Sequence, residues 1–403
     1  MSITTRHPWF WPLVVTALMQ TESAYLSRAI PVVGPVITEA AGVGPEYIGY
    51  LTSMISLGTM WFLMAGGPML RRLGPTRLLQ CGAITGALAT LAITTGNMPM
   101  LLLGALFIGV GYGPSPPAGS DILSRNSPPG ARSLIFSIKQ SAVPLGGALA
   151  GLIVPTLTIA YDWRIAMVVS ALLAFACALA VQPLRAGIDV TRNSEGSLGL
   201  AGFLSPRSLA APFRAMRLSP LLWPLSYVGS CFAVVQGCLF AFHVTYLTTE
   251  LGFSLAVAGF VFATMQIIGV FARVIMGWVA DRLGSALRAL LLLSGASATM
   301  ALATAAIGSA WPVWLVTAVA AVTGFAAASW NGVYLSEVAH VVGSEHVGDA
   351  TSGSTFFTFI GYVVGTSAFA TAVAVNGSYA LTFAIIAAMP VSAGFVLLRL
   401  VRR

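Results

Sequence analysis

From residue 9 to residue 400 the chain alternates long apolar stretches with polar breaks of a few residues. The apolar stretches fall near 9–37, 46–70, 75–96, 98–123, 131–159, 162–183, 219–249, 254–280, 285–308, 311–340, 347–373 and 378–400. At about 1.5 Å per residue, a helix of this length matches a hydrocarbon core about 30 Å thick. The pattern predicts an all-α membrane protein with twelve transmembrane helices. The longest polar interruption, Leu184 to Leu218, divides it into a six-helix bundle (1–183), a cytoplasmic linker (184–218) and a second six-helix bundle (219–403).

Composition supports this and removes alternatives. The chain is 57% hydrophobic and only 8% charged, whereas soluble domains carry about 25% charged residues. Its net charge of +8 is not a nucleic-acid footprint, because the arginines sit singly or in pairs at the ends of apolar stretches. Placing both termini in the cytoplasm puts Arg71, Arg72, Arg77, Arg125, Arg132, the linker, Arg282, Arg288 and Arg399 inside and leaves only Arg164 outside. One inside loop, with Glu345, His346 and Asp349, lacks arginine. Arg6 precedes an apolar run that Glu22 and Arg28 interrupt, with no small-residue cleavage site after it, which reads as a retained first helix. Cys81, Cys177, Cys231 and Cys238 form no metal-ligand spacing. No metal, cofactor or catalytic constellation is expected, and no nucleotide-binding loop, so an enzyme is not expected and the driving energy must come from a gradient. Arginine and alanine richness points to a bacterial cell membrane, that is, an inner membrane.

After the second apolar stretch the chain reads Gly67-Pro-Met-Leu-Arg-Arg-Leu-Gly74, and after the eighth, Gly277-Trp-Val-Ala-Asp-Arg-Leu-Gly284. The second copy resembles the loop motif of the major facilitator superfamily, G-x-x-x-D-R-x-G-R. The resemblance covers the whole chain in helix count, linker position and repeat, and it implies two pseudo-symmetric bundles around a midplane site, working by alternating access. It also implies a cytoplasmic gate using Gly277, Asp281 and Arg282, with Asp281 facing Arg132. Arg71 stands where the first copy should carry its aspartate, so a substitute pairing of Arg71 or Arg72 with Asp349 is expected there.

Charges at membrane depth cost about 2.5–3.5 kcal/mol each on insertion scales and mostly face a bundle interior. Four stand out: Glu22, Arg28, Lys139 and Arg273. Lys139, the only lysine, and Arg273 each lie about 12 Å from the inner edge by helical rise. In the fold this chain resembles, the fifth and eighth helices meet, so Lys139 and Arg273 are expected to clamp an anion between the bundles. Snorkelling of Lys139 to the surface and packing of Arg273 near the gate are the competing readings. Pro144 deprives the Gln140 carbonyl of its helical partner and bends the fifth helix, and Gly147-x-x-x-Gly151 permits close packing.

Tyr25-x-x-Arg28 resembles the Y-x-D-R segment of anion:cation symporters in the superfamily, with Ser27 in place of the aspartate; this implies an anion contact at Arg28. Glu22 is the candidate proton carrier. Tyr25, Tyr112, Gln140, Gln236, Trp330, Asn331 and Tyr334 are further candidates for substrate contact. The expectation is a monomeric secondary transporter that takes up a small organic anion, a carboxylate or similar oxyanion, with protons. An exporter or exchanger of anionic compounds and a non-transporting receptor are the alternatives.

Overall fold

A computed structural model describes residues 9–128, 132–190, 210–342 and 346–402, without the side chains of Pro68, Arg71, Arg132, Ser133, Leu134, Ser137, Ala211, Pro212, Val347, Gly348 and Asp349. Among the described residues there is helix and no strand. The long segments are α1 (Phe10–Val32), α2 (Pro45–Ala65), α3 (Pro75–Ile93), α4 (Met98–Asn126), α5 (Arg132–Ala160) and α6 (Trp163–Ala180) in the first half of the chain. The second half holds α7 (Leu222–Glu250), α8 (Leu255–Arg282), α9 (Ala286–Ala305), α10 (Val313–His340), α11 (Val347–Asn376) and α12 (Tyr379–Val401). Eleven of the described segments are long and apolar enough to cross a membrane. The remaining one, α1, has the length, at 23 residues, but carries Glu22 and Arg28.

Local sequence explains where these helices start and break. Asn97, Asp162, Ser254, Ser285 and Ser378 accept a hydrogen bond from a backbone N–H of the first turn of α4, α6, α8, α9 and α12. The helical path of α4 turns at Gly113-Pro114 ahead of Pro116 and Pro117, where missing N–H groups interrupt the ladder. The closing glycines of the two repeated motifs, Gly74 and Gly284, both have positive φ, at 86° and 58°. Only glycine takes that conformation without strain, so the repeat is a backbone requirement as well as a charge pattern.

Asp189, from the start of the interrupting segment, folds back onto the first turn of α3. Its carboxylate accepts from the N–H groups of Thr76 (2.8 Å) and Arg77 (3.1 Å) and lies 3.5 Å from Arg185. A carboxylate at a helix N-terminus satisfies orphan donors and faces the positive end of the dipole. Asp189→Ala should cost about 1–2 kcal/mol, on the scale of a lost N-cap, seen as a lower thermal-unfolding midpoint in detergent with unchanged substrate affinity.

Small residues set the helix contacts that matter for the interior. Gly146 lies against the backbone of Thr21 and Tyr25, seating α5 on α1. Gly147 faces the Gln266 amide, and Gly151 faces the backbone of Gly259, seating the opposite side of α5 on α8. The expected close packing at Gly147 and Gly151 is therefore a contact between the two halves of the chain. Gly277 differs: a Cβ there would meet nothing within 4 Å, so no helix approaches it among the described residues.

Candidate functional site

A cavity of about 200 Å³ lies between the two halves. Gln20, Ser27 and Arg28 of α1 line it, with Thr52, Ser56 and Thr59 of α2, Tyr112 and Pro116 of α4, and Gln140 and Val143 of α5. The other wall is Gln236 of α7, Arg273 of α8, Asn331 and Tyr334 of α10, and Thr355, Thr358, Phe359 and Tyr362 of α11. Among the described residues its lining includes two cations and no carboxylate. A larger depression, about 480 Å³, runs along α3 and α6 past Arg77, Ile84, Phe175 and Leu179. Leu179 is 73% exposed and none of the candidate residues reaches that groove, so the chemistry belongs to the cavity.

The two arginines arrive from opposite halves. Side chains lean toward the N-terminus of their own helix, and α1 and α8, an odd number of crossings apart, run in opposite directions. Arg28 and Arg273 therefore lean toward one another along the bundle axis and lie within electrostatic range of each other, of Tyr112 and of Tyr362. The Arg28 guanidinium sits 5.1 Å over the Phe240 ring of α7, a cation–π contact that holds it without neutralising it. Arg273 donates from Nη1 to the Gln140 carbonyl at 3.1 Å, the carbonyl that Pro144 leaves without a helical partner. Its Nε is buried with no partner. Both cations are thus positioned by neutral groups and keep donors free for a ligand.

Helical azimuth explains which α1 candidates reach the cavity. At about 100° per residue, Gln20 and Ser27 nearly coincide and Arg28 lies about 80° to one side, while Tyr25 and Glu22 fall about 140° and 160° away. Tyr25 accordingly faces α6, its hydroxyl 2.8 Å from that of Ser170, and does not line the cavity. Glu22 is buried on that far side: Oε2 accepts from Ser23 at 3.1 Å and Oε1 has no partner. The face of α1 that lines the cavity is centred on Gln20 and Ser27, with Arg28 at its side.

Lys139 is buried but is also outside the lining. It is about 100° from Gln140 around α5, which turns it to α4. There Gly119 leaves room for it: a Cβ at 119 would lie 2.7 Å from Lys139 Cε and 3.1 Å from Nζ, with Thr16 of α1 next nearest. Lys139 lies within electrostatic range of Arg273, but of the pair expected to clamp an anion only Arg273 lines the cavity, together with Arg28. Trp330 likewise stands behind the wall. It is fully buried, stacked on Phe232 at 5.5 Å, and donates from Nε1 to Gln236 Oε1 at 3.2 Å.

Tyr362, Phe240, and the hydroxyl rows Thr52-Ser56-Thr59 and Thr355-Thr358 are absent from the sequence candidates. The rows repeat at helical i, i+3 or i+4 spacing, a signal present in the sequence but diluted by the many other Ser and Thr residues that return hydrogen bonds to their own helices. Within the long helices, Glu337 of α10, at 9% exposure, is a buried acidic residue besides the Glu22 that the pattern singles out. Of the gate candidates, Asp281 and Arg282 are exposed; Arg282 lies 4.7 Å over Trp278, and Asp281 forms no ion pair among the described residues. The side chains of Arg71, Arg132 and Asp349 lie outside the described part.

At the end where α2 begins and α11 ends, the halves are joined. Ser53 Oγ donates to the Val363 carbonyl (2.9 Å) and meets the hydroxyls of Thr366 (2.6 Å) and Ser367 (2.7 Å), and Tyr50 meets Thr371 (3.0 Å). Toward the other end the cavity extends past Pro116, Leu335 and Thr355. The family model described as Major Facilitator Superfamily matches residues 16–365. The chain belongs to the major facilitator superfamily. It is thus a multi-pass membrane transporter by family, and that family's members are not enzymes. An uncharacterized MFS-type transporter of Mycobacterium tuberculosis is 26% identical over 391 residues, covering 92% of this chain and 83% of its own. The 4-hydroxybenzoate transporter PcaK of Pseudomonas aeruginosa is 24% identical over 301 residues, 68% of this chain and 67% of its own. The hexuronate transporter of Bacillus subtilis is 26% identical over 160 residues, 39% of this chain and 38% of its own. Among solved structures, a bacterial homolog of the human lysosomal transporter Spinster, inward-facing and occupied, superposes with TM-score 0.76 at 16% identity over 100% of this chain and 98% of that one; this likeness speaks to the fold.

Proposed function

We propose that this superfamily member is a proton-coupled secondary transporter that takes up a small organic anion, a carboxylate or similar oxyanion, by alternating access. The observation that carries the reading is the pairing of Arg28 and Arg273, from opposite halves of the chain, in one cavity with no carboxylate among its described lining residues. Two cations in a low-dielectric chamber repel one another, and an anion between them relieves that repulsion while drawing α1 and α8 together. The names of relatives that carry hexuronate and 4-hydroxybenzoate agree with an anionic cargo.

On this reading there are twelve crossings in two bundles, 1–183 and 219–403, joined by the linker 184–218, with both termini cytoplasmic in a bacterial inner membrane. The joined end is then the outer one, and the cavity faces inward. Arg28, Arg273, Tyr112, Gln140, Gln236, Asn331 and Tyr334 contact the anion, and Lys139 raises the local positive potential from behind the wall. Glu22, with Oε1 unpartnered on the helix that carries Arg28, takes the proton. Gly277, Asp281, Arg282, Arg71, Arg132 and Asp349 belong to the inner gate, and the working unit is a monomer.

Proteoliposomes with an imposed inward proton gradient should accumulate labelled 4-hydroxybenzoate or glucuronate. Glu22→Gln should abolish gradient-driven accumulation while anion exchange across equal pH persists. Outward flux under the same gradient would make the protein an exporter, and binding without flux a receptor.

A further inference from the structure

One cavity group has a polarity fixed by its surroundings. The Trp330 indole N–H is a donor and can never accept, so the Gln236 atom 3.2 Å from it is the amide oxygen. The Tyr362 hydroxyl donates to that same oxygen. Both lone pairs of Gln236 Oε1 are therefore occupied. Trp330 cannot swing away, being fully buried, stacked on Phe232 with 13° between planes and edge-on to Tyr334. Gln236 Nε2, with two N–H groups, has no protein partner among the described residues, although the side chain is only 3% exposed and lines the cavity.

We propose that Gln236 presents its amide nitrogen to the transported anion as a hydrogen-bond donor, held in that polarity by Trp330 and Tyr362 as positioning residues. Resting on the anion reading above, this names the cargo class: a carboxylate bearing a second oxygen acceptor. The two guanidinium groups engage the carboxylate. Gln236, on α7 and linked through Tyr362 to the same region of the wall, engages the second oxygen. A buried N–H pair left without an acceptor is costly, so a carboxylate with an apolar far end binds less well than its hydroxylated counterpart. Discrimination of this kind, by a polar group that the wrong substrate leaves unpaired, is stronger than discrimination by shape.

The test compares uptake of 4-hydroxybenzoate and benzoate by proteoliposomes carrying the full chain. The wild type should show a KM at least about tenfold lower for 4-hydroxybenzoate. Trp330→Phe keeps the stack on Phe232 and removes the indole donor; it should raise that KM about tenfold while Vmax, and KM for benzoate, stay within about twofold. Tyr362→Phe should move the same constant in the same direction and serves if Trp330→Phe does not fold. Equal KM values for the two compounds in the wild type, equal losses for both in the variants, or no uptake of either compound would overturn the inference. Arg273→Gln separates the two levels. Loss of both probes in that variant keeps the anion reading whatever Trp330→Phe does, and retention of both removes that reading independently of Gln236.

Discussion

Arg273→Gln should lower uptake of an anionic substrate by about 30-fold or more, with the protein still folded and inserted. Truncating one partner of a buried charged pair costs about 2–5 kcal/mol, and about 1.4 kcal/mol is a factor of ten. Arg273 already has its Gln140 contact and a buried Nε without a partner, so its loss falls mainly on the ligand. Arg28→Gln should behave in the same way, because the Phe240 ring beneath it offers no substitute charge. Arg273→Lys should rescue poorly, since an ammonium cannot hold the Gln140 carbonyl and an oxyanion with the same fork of donors. Lys139→Gln should cost only a fewfold, as that side chain lies against Gly119 outside the lining. Initial uptake rates in proteoliposomes, normalised to inserted protein, check all four; a Lys139 effect exceeding that of Arg273 would restore the clamp expected from the sequence.

Gly49→Val should stop transport by a different route. A Cβ at position 49 would lie 2.5 Å from the Thr366 carbonyl oxygen and 2.8 Å from Ala370 Cβ, so valine must push α2 away from α11. Overpacking of this kind costs about 1–3 kcal/mol, enough to move a two-state balance by about 5- to 150-fold. The state with its Ser53 and Tyr50 end joined should become the minor one. Spin labels on α2 and α11 should report a wider separation at that end, uptake should fall at least about tenfold, and ligand binding should persist. An unchanged separation with lost uptake would refute the steric account.

Much of the architecture was legible because a bilayer leaves few options: long apolar runs, flanking arginines and a repeated Gly-to-Gly motif are coarse signals, and the helices begin and end within a few residues of the runs. The carbonyl that Pro144 frees was legible as well, since a missing N–H is a covalent fact, and it is the one Arg273 uses. Side-chain direction was harder to read. Lys139 and Gln140 are neighbours in sequence, yet only Gln140 reaches the cavity, and the deciding element is Gly119 on another helix. Tyr25 has a motif that points to the site and an azimuth that does not, since it lies nearer to Glu22 than to Gln20 around α1. Tyr362 carries no sequence signal, because a single tyrosine in an apolar helix looks the same whether it faces lipid, core or cavity.

The joint between α2 and α11 is made of hydroxyls and a backbone carbonyl, with no ion pair between the halves there among the described residues. Dissolved ions screen separated charges and leave neutral hydrogen bonds nearly untouched. Raising ionic strength should therefore slow the approach of the anion through solution toward the arginines while leaving the opening and closing of the α2–α11 end unmoved, so that recognition and gating answer to different properties of the medium.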